Sequence, residues 1–173
     1  MRILLMLLIL VFSACKQTPK PNQSIEKKEV ALECIINARV TVDDVFEVYF
    51  YEEGDLTFHP QDFVDVKVLG SLKPQEIKFT LPEHIIPLRI RLDVGKNINQ
   101  EEITLYSVKL VYDDKEYIFT NDLLVNGFKP SKYITINKTE RNIKFDTQEL
   151  EGKYDPYFYS PKISNIVNYL MED

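Results

Sequence analysis

Apolar and polar residues alternate along most of the chain from Val30 onward. The clearest run is residues 88–94 (LRIRLDV), in which every second residue is aliphatic and the others are charged. Successive side chains of a strand point to opposite faces of a sheet, so this period of two predicts strands with one buried and one exposed face. The same pattern recurs, between turn residues, in residues 30–36, 45–51, 64–68, 77–81, 103–112, 115–120, 133–137 and 143–145.

Two interruptions of this alternation carry local predictions. The apolar phase changes near Ser107 within residues 103–112, which indicates a bulge or a strong twist. Asp113 and Asp114 then separate two alternating runs, which predicts a tight hairpin.

The end of the chain has a helical period instead. Ile163, Ile166, Val167 and Leu170 are spaced i, i+3, i+4 and i+7, so they form one apolar stripe on a short helix. Ser160 suits the N-cap position of this helix, and Pro161, which follows it, suits the first helical position. We expect the stripe to pack on the sheets rather than on a partner.

About nine strands, few glycines, no repeats and no alternation of strands with helices predict an all-β fold. The most consistent architecture is an antiparallel β-sandwich, jelly-roll-like, with a short C-terminal helix. We assign the sandwich to residues 30–148, and an aromatic segment with the helix to residues 149–173.

Several of these runs resemble a known class of module. FEVYF (46–50), VKVLGS (66–71), QEIKF (75–79), LRIRLDVG (88–95) and residues 103–110 look like jelly-roll β-sandwich modules found beside bacterial glycosyltransferases and on cell-envelope proteins. The resemblance covers residues 44–120 and implies a fold similar to that of carbohydrate-binding domains.

The N-terminus has a different character. One positive charge, Arg2, precedes an unbroken apolar stretch that is too short to span a bilayer. This pattern indicates that residues 1–14 form an export signal. The stretch ends in Phe12, Ser13, Ala14 and Cys15, which resemble the lipobox of bacterial lipoproteins. The resemblance implies acylation of Cys15 and a bilayer as partner. In such lipoproteins an Asp after the cysteine is the pattern for retention in the inner membrane. Because Lys16 stands there instead, the resemblance implies the outer membrane, and we favour the periplasm-facing side. The alternative is an ordinary signal cleaved after Ala14, which would leave a soluble protein.

Composition narrows the partners further. Residues 15–29 are polar and contain prolines, so after the lipidated cysteine they form a tether. Removal of residues 1–14 takes away Arg2 and changes the formal net charge from −6 to −7. This acidic balance argues against nucleic acid as a partner, since phosphates require a basic footprint.

Signals for catalysis and for metals are few. His59 and His84 both fall in predicted loops outside any catalytic motif, so we expect no enzyme. We expect no cofactor either, with Ca²⁺ as a minor alternative whose weak candidate ligands are Asp43, Asp44 and Asp93. Cys34 lies in an alternating apolar run and is interpreted as a small buried hydrophobe.

Aromatic residues are the more suggestive feature, with ten Tyr and ten Phe. Tyr offers an apolar ring and a hydroxyl, which suit both sugar stacking and protein interfaces. The candidate ligand-binding residues, on the polar faces of their strands or in the C-terminal aromatic segment, are Tyr49, Tyr51, Arg89, Arg91, Tyr157 and Tyr159. We expect a non-enzymatic envelope module for protein interaction or assembly, because the chain has no Trp for sugar stacking; the alternative is a glycan-binding module.

Overall fold

Eleven strands and one helix make up the fold in the computed structural model, which describes residues 30–55, 57–100, 102–119, 127–137, 143–148 and 150–172. The predicted signal segment, Cys15 and the tether lie outside these residues. The strands are β1 (Glu33–Val40), β2 (Asp44–Tyr51), β3 (Phe63–Val68), β4 (Gln75–Thr80), β5 (Arg89–Asp93), β6 (Glu102–Tyr112), β7 (Lys115–Phe119), β8 (Lys129–Pro130), β9 (Ile134–Asn137), β10 (Ile143–Thr147) and β11 (Tyr157–Tyr159), and the helix is α1 (Ser164–Met171).

The strands form two antiparallel sheets. Sheet A has the order β4-β1-β6-β10-β9, with β7 also paired to β6, and sheet B has the order β3-β2-β5-β11-β8. Three ladders of sheet A have a counterpart in sheet B: β1 with β4 matches β2 with β3, β1 with β6 matches β2 with β5, and β6 with β10 matches β5 with β11. The pair β1 and β6 continues into the pair β2 and β5 on the opposite sheet, so a two-stranded ribbon crosses from one sheet to the other, as it does in a jelly roll. The predicted fold class is confirmed.

The core lies between the sheets and follows from the alternation. Phe46 and Val48 of β2 are fully buried, as are Ile36 and Cys34 of β1. Ile90 and Leu92 of β5 face the same interior. Because burial of such a side chain contributes roughly 1.5–3 kcal/mol, the period of two fixes which face of these three strands points inward.

The two interruptions of the alternation are confirmed. The register between β1 and β6 shifts, since Asn37 pairs with Ser107 whereas Ala38 pairs with Leu105, which leaves Tyr106 as the extra residue of a bulge. β6 and β7 form a hairpin in which Asp113 has a φ of 55°, a left-handed conformation that Asp tolerates better than most residues.

The C-terminal region joins the sandwich. β11 lies within sheet B between β5 and β8, so the sandwich runs past residue 148, the boundary predicted from the sequence. The apolar stripe of α1 packs on β6 and β7, with Ile163, Val167 and Leu170 buried, which confirms the expected packing on the sheets. Within the described part of the chain, no helix is long and apolar enough to cross a membrane.

The predicted start of the helix is wrong. α1 begins at Ser164, its N-cap residue is Ile163, and no side chain caps it. Ser160 is instead buried beside β5, where its Oγ accepts a hydrogen bond from the backbone N–H of Ile90 (2.9 Å) and donates one to the carbonyl oxygen of Pro161 (2.8 Å). The hydroxyl that was expected to cap a helix therefore extends the pairing of β11 with β5.

Candidate functional site

The outer face of sheet B gathers the residues that the sequence singled out. Residues of β2, β5 and β11 that alternate with the core positions point away from the interior, and neighbouring strands bring them side by side. Arg91 lies opposite Tyr49 on one side and Tyr159 on the other, while Arg89 lies opposite Tyr51. We call this surface the aromatic face; it consists of Tyr49, Tyr51, Arg89, Arg91, Tyr157 and Tyr159.

Arg91 lies at the centre of the aromatic face and contacts two carboxylates and two tyrosine rings. It donates to both carboxylate oxygens of Asp93, at 2.7 Å from Nε and 2.6 Å from Nη2, and its Nη2 also reaches Asp155 at 2.8 Å. Its guanidinium carbon lies 3.8 Å from the ring centroid of Tyr157 and 5.3 Å from that of Tyr49. Bidentate pairing and stacking are the contacts for which a planar guanidinium is suited, so Arg91 is a fixed part of the surface.

The acidic side of this cluster is partly buried. Glu47, only 4% exposed, accepts a 2.5 Å hydrogen bond from Lys96 Nζ. Burial raises the pKa of Asp93 to about 7; the pairing with Arg91 opposes this shift, and the charges of Asp155 and Glu47 add to it. Burial also raises the pKa of Tyr157 to about 12.

A groove opens beside Arg91 at the end of the aromatic face where β2 ends. It has a volume of about 370 Å³ and is lined by Tyr51, Thr57, Phe58, Arg89, Arg91 and Tyr159. The ring of Phe58 lies between the other two rings, 5.2 Å from Tyr51 and 5.5 Å from Tyr159 between centroids. Three aromatic rings, a threonine hydroxyl and two guanidinium groups therefore meet in one concavity.

Of the six sequence candidates, four line this groove, while Tyr49 and Tyr157 lie on the aromatic face outside its lining. Sequence reasoning missed Phe58, Thr57 and Asp155. Thr57 and Phe58 lie in an irregular loop between β2 and β3. The sequence of such a loop has no periodicity from which the orientation of a side chain could be predicted. Asp155 is brought to Arg91 by a contact between segments 64 residues apart.

The three weak calcium candidates have protein partners. Asp43 Oδ1 accepts from the N–H of Gly70 (2.7 Å), and Asp44 Oδ1 accepts from the backbone N–H groups of Lys96 (2.7 Å) and Asn97 (2.9 Å). Asp93 is paired with Arg91. Among the described residues, no group of three or more His, Cys, Asp or Glu side chains could hold a metal ion.

The loop after β5 is shaped around Asp44. Gly95 has a φ of +125°, and a Cβ at this position would lie 2.4 Å from Asp44 Oδ2, so only glycine fits both the backbone conformation and the space. Burial raises the pKa of Asp44, while the backbone N–H donors around it act in the opposite direction. The role of Asp44 is therefore to fix the conformation of the loop that carries Lys96.

The remaining sequence candidates are structural or isolated. Cys34 is fully buried, and burial raises the pKa of its thiol to about 12, which confirms its interpretation as a small hydrophobe. His59 Nε2 lies 3.4 Å from Asp55 Oδ1 in the loop between β2 and β3.

Comparison of the chain with protein-family models, with curated proteins and with solved structures finds no match. The resemblances to a lipobox and to carbohydrate-binding modules therefore stay predictions from the sequence.

Proposed function

We propose that the protein is a lipid-anchored lipoprotein of the bacterial outer membrane, facing the periplasm, whose sandwich binds a saccharide in the groove of the aromatic face. The observation that carries this proposal is the concavity formed by Tyr51, Phe58 and Tyr159 together with Arg89. Lack of Trp had favoured a protein partner on sequence grounds, but three clustered rings offer the apolar surface that a single Trp would provide.

The chemistry of the lining suits a sugar. A sugar ring presents apolar C–H faces and a rim of hydroxyls, so its site needs ring surfaces and a few polar groups that fix orientation. Tyr51 and Tyr159 provide both in one side chain, and Thr57 adds a hydroxyl. The volume of about 370 Å³ lies at the lower end of the range of small-molecule sites, which favours a short stretch of glycan.

Binding without catalysis is the better interpretation of this lining. Hydrolysis of a glycosidic bond normally requires two carboxyl groups on either side of the bond. The described residues that line the groove include no Asp or Glu. Asp93 and Asp155, two carboxylates of the aromatic-face cluster, are both paired with Arg91.

The test is a binding measurement on Phe58→Ala in the full-length protein purified in detergent. Phe58 stands in a loop and is partly exposed, so its removal opens the wall of the groove without touching a strand. An array of neutral and acidic oligosaccharides should give binders, and calorimetry should show at least tenfold weaker binding by the variant, a loss of about 1.4 kcal/mol. Tyr169→Ala, an exposed ring on α1, is the matched control and should bind normally. Failure of the wild-type protein to bind any saccharide would overturn the proposal.

The second candidate is the protein-interaction or assembly module that the sequence favoured, and one observation supports it. Leu69 and Leu72 are 72% and 82% exposed on the loop between β3 and β4. This loop is fixed by hydrogen bonds, among them one from the N–H of Gly70 to Asp43 Oδ1 at 2.7 Å. Two exposed leucines on a hydrogen-bonded loop offer apolar surface that a protein partner would cover.

The two candidates are separable by variants at opposite ends of sheet B. A protein partner at the leucine loop predicts that a Leu69→Ser, Leu72→Ser double variant no longer co-purifies with it from solubilised envelope, whereas Phe58→Ala still does. Saccharide binding predicts the reverse dependence for the array signal.

A further inference from the structure

The two arginines of the groove differ in what holds them. Arg91 is paired within the protein with Asp93 and Asp155. Arg89 forms no ion pair with any residue that the structure describes, and its Nη1 donates only a long hydrogen bond, at 3.5 Å, to the carbonyl oxygen of Ser160. A guanidinium has five N–H donors, so most of the donors of Arg89 are available to a ligand.

Resting on the proposed function, we propose that the groove selects an acidic saccharide, whose carboxylate pairs with Arg89 while its sugar ring packs on Phe58. Arg89 lines the same concavity as Phe58, and the described lining carries no acidic group that would repel an anion. A planar guanidinium binds a carboxylate through two parallel hydrogen bonds, and this pairing strengthens where rings exclude water.

The position of the groove favours a sugar acid over an acidic peptide. β2, β5 and β11 each lie between two neighbouring strands, so none of them presents a sheet edge to which a peptide strand could be added. We therefore expect recognition to rely mainly on the lining side chains, which include rings, hydroxyls and one guanidinium without an ion pair to a described residue. A single guanidinium matches the one charge of a uronic acid, whereas a phosphate monoester carries nearly two charges at neutral pH.

The experiment compares a galacturonic acid trisaccharide with its carboxyl-reduced counterpart, the galactose trisaccharide, by calorimetry on the full-length protein in detergent at low salt. Wild-type protein should bind the acid at least tenfold more tightly than the reduced sugar. Arg89→Gln should abolish this difference, so that the variant binds the acid no more tightly than the reduced sugar. Arg89→Lys keeps the charge without the planar fork and should retain part of the difference. Arg39→Gln, which removes an arginine paired with Glu102 on sheet A, is the matched control and should preserve it.

The outcomes separate this inference from the proposed function. Equal affinity for the two trisaccharides in the wild-type protein would overturn the inference and leave saccharide binding in place. Binding of a poly-glutamate peptide with loss on Arg89→Gln, but of neither sugar, would assign the groove to an acidic protein segment and overturn both. A preference for the acid that survives in Arg89→Gln would place the charge recognition elsewhere and also overturn the inference.

Discussion

Asp93 is the residue of the aromatic face whose protonation should affect stability. It is 8% exposed and faces Arg91 on its own strand, Glu47 on β2 and Asp155 in the segment before β11. Burial raises its pKa to about 7, far above the ordinary value near 4. Its ionised form is therefore disfavoured by folding although an arginine lies beside it.

The prediction is a pH dependence of unfolding that Asp93→Asn reduces. Between about pH 4 and pH 7 the folded protein holds a proton on Asp93 that the unfolded chain has lost, so the contribution to stability is full below about pH 4 and is lost as pH rises through 7. The slope from this group is at most about 1.4 kcal/mol per pH unit. Urea unfolding of wild-type and variant protein between pH 5 and pH 8 measures it.

A matched control is Asp65→Asn, which removes an exposed carboxylate from β3 of the same sheet. It should leave the slope as in the wild-type protein. If Asp93→Asn unfolds with the wild-type slope, Asp93 is ionised throughout this range and the Arg91 pair outweighs its burial.

For individual residues, the sequence predicted which face of the sheet a side chain points to, but not whether it is buried there. Alternation along β2 and β5 placed Tyr49, Tyr51, Arg89 and Arg91 outward, because a strand has only two faces. It could not indicate that Glu47 on the same outward face is buried, since the lysine that pairs with it comes from a loop 49 residues away.

At the scale of elements, α1 illustrates how a short helix depends on packing. Its eight residues have no side-chain cap, no acidic residue in the first turn and no basic residue in the last. Isolated helices of this length are marginal in water. The helix is therefore held by its buried stripe against β6 and β7.

We predict that Leu170→Ala destabilises the protein by about 2–4 kcal/mol, because it leaves a cavity under α1 at a side chain that is 1% exposed. The neighbouring change Tyr169→Ala removes a ring that is 60% exposed and should alter stability by less than about 0.5 kcal/mol. Urea unfolding compares the two. Equal, small effects would mean that α1 adds nothing to the stability of the sandwich.

Nine of the eleven strands could be predicted from alternation, and the two that could not are short. β8 has two residues and β11 has three, too few for a period to be recognised. β11 is nevertheless the strand that completes the aromatic face, since it places Tyr157 and Tyr159 beside β5. The strand series was thus predictable, whereas the pairing that builds the groove depends on contacts between distant segments.

For the whole molecule, the topology places the groove relative to the ends of β1 and β2. β1 ends at Val40 and β2 begins at Asp44 on the opposite sheet, so the start of β1 and the end of β2 lie at the same end of the sandwich. Tyr51, at the end of β2, lines the groove. The groove is therefore at the end of the sandwich where β1 begins, and the leucine loop is at the other end.

The proposed lipid anchor can be tested separately from the groove. If Cys15 is acylated, Cys15→Ser should move the protein from the membrane fraction to the soluble fraction, because the acidic net charge of the chain, −6, does not favour binding to anionic lipid. Mass spectrometry of the wild-type N-terminus should show acyl groups on residue 15.

Cys34→Ala is the control, since it removes the other cysteine of the chain from a buried site and should leave the protein in the membrane fraction. A Cys15→Ser protein that still sediments with membranes would show that another contact retains it. Saccharide binding in the groove would then still be testable, since Arg89 and Phe58 belong to the sandwich and not to the anchor. The proposed membrane attachment and the proposed ligand binding are thus tested separately, each by its own variant.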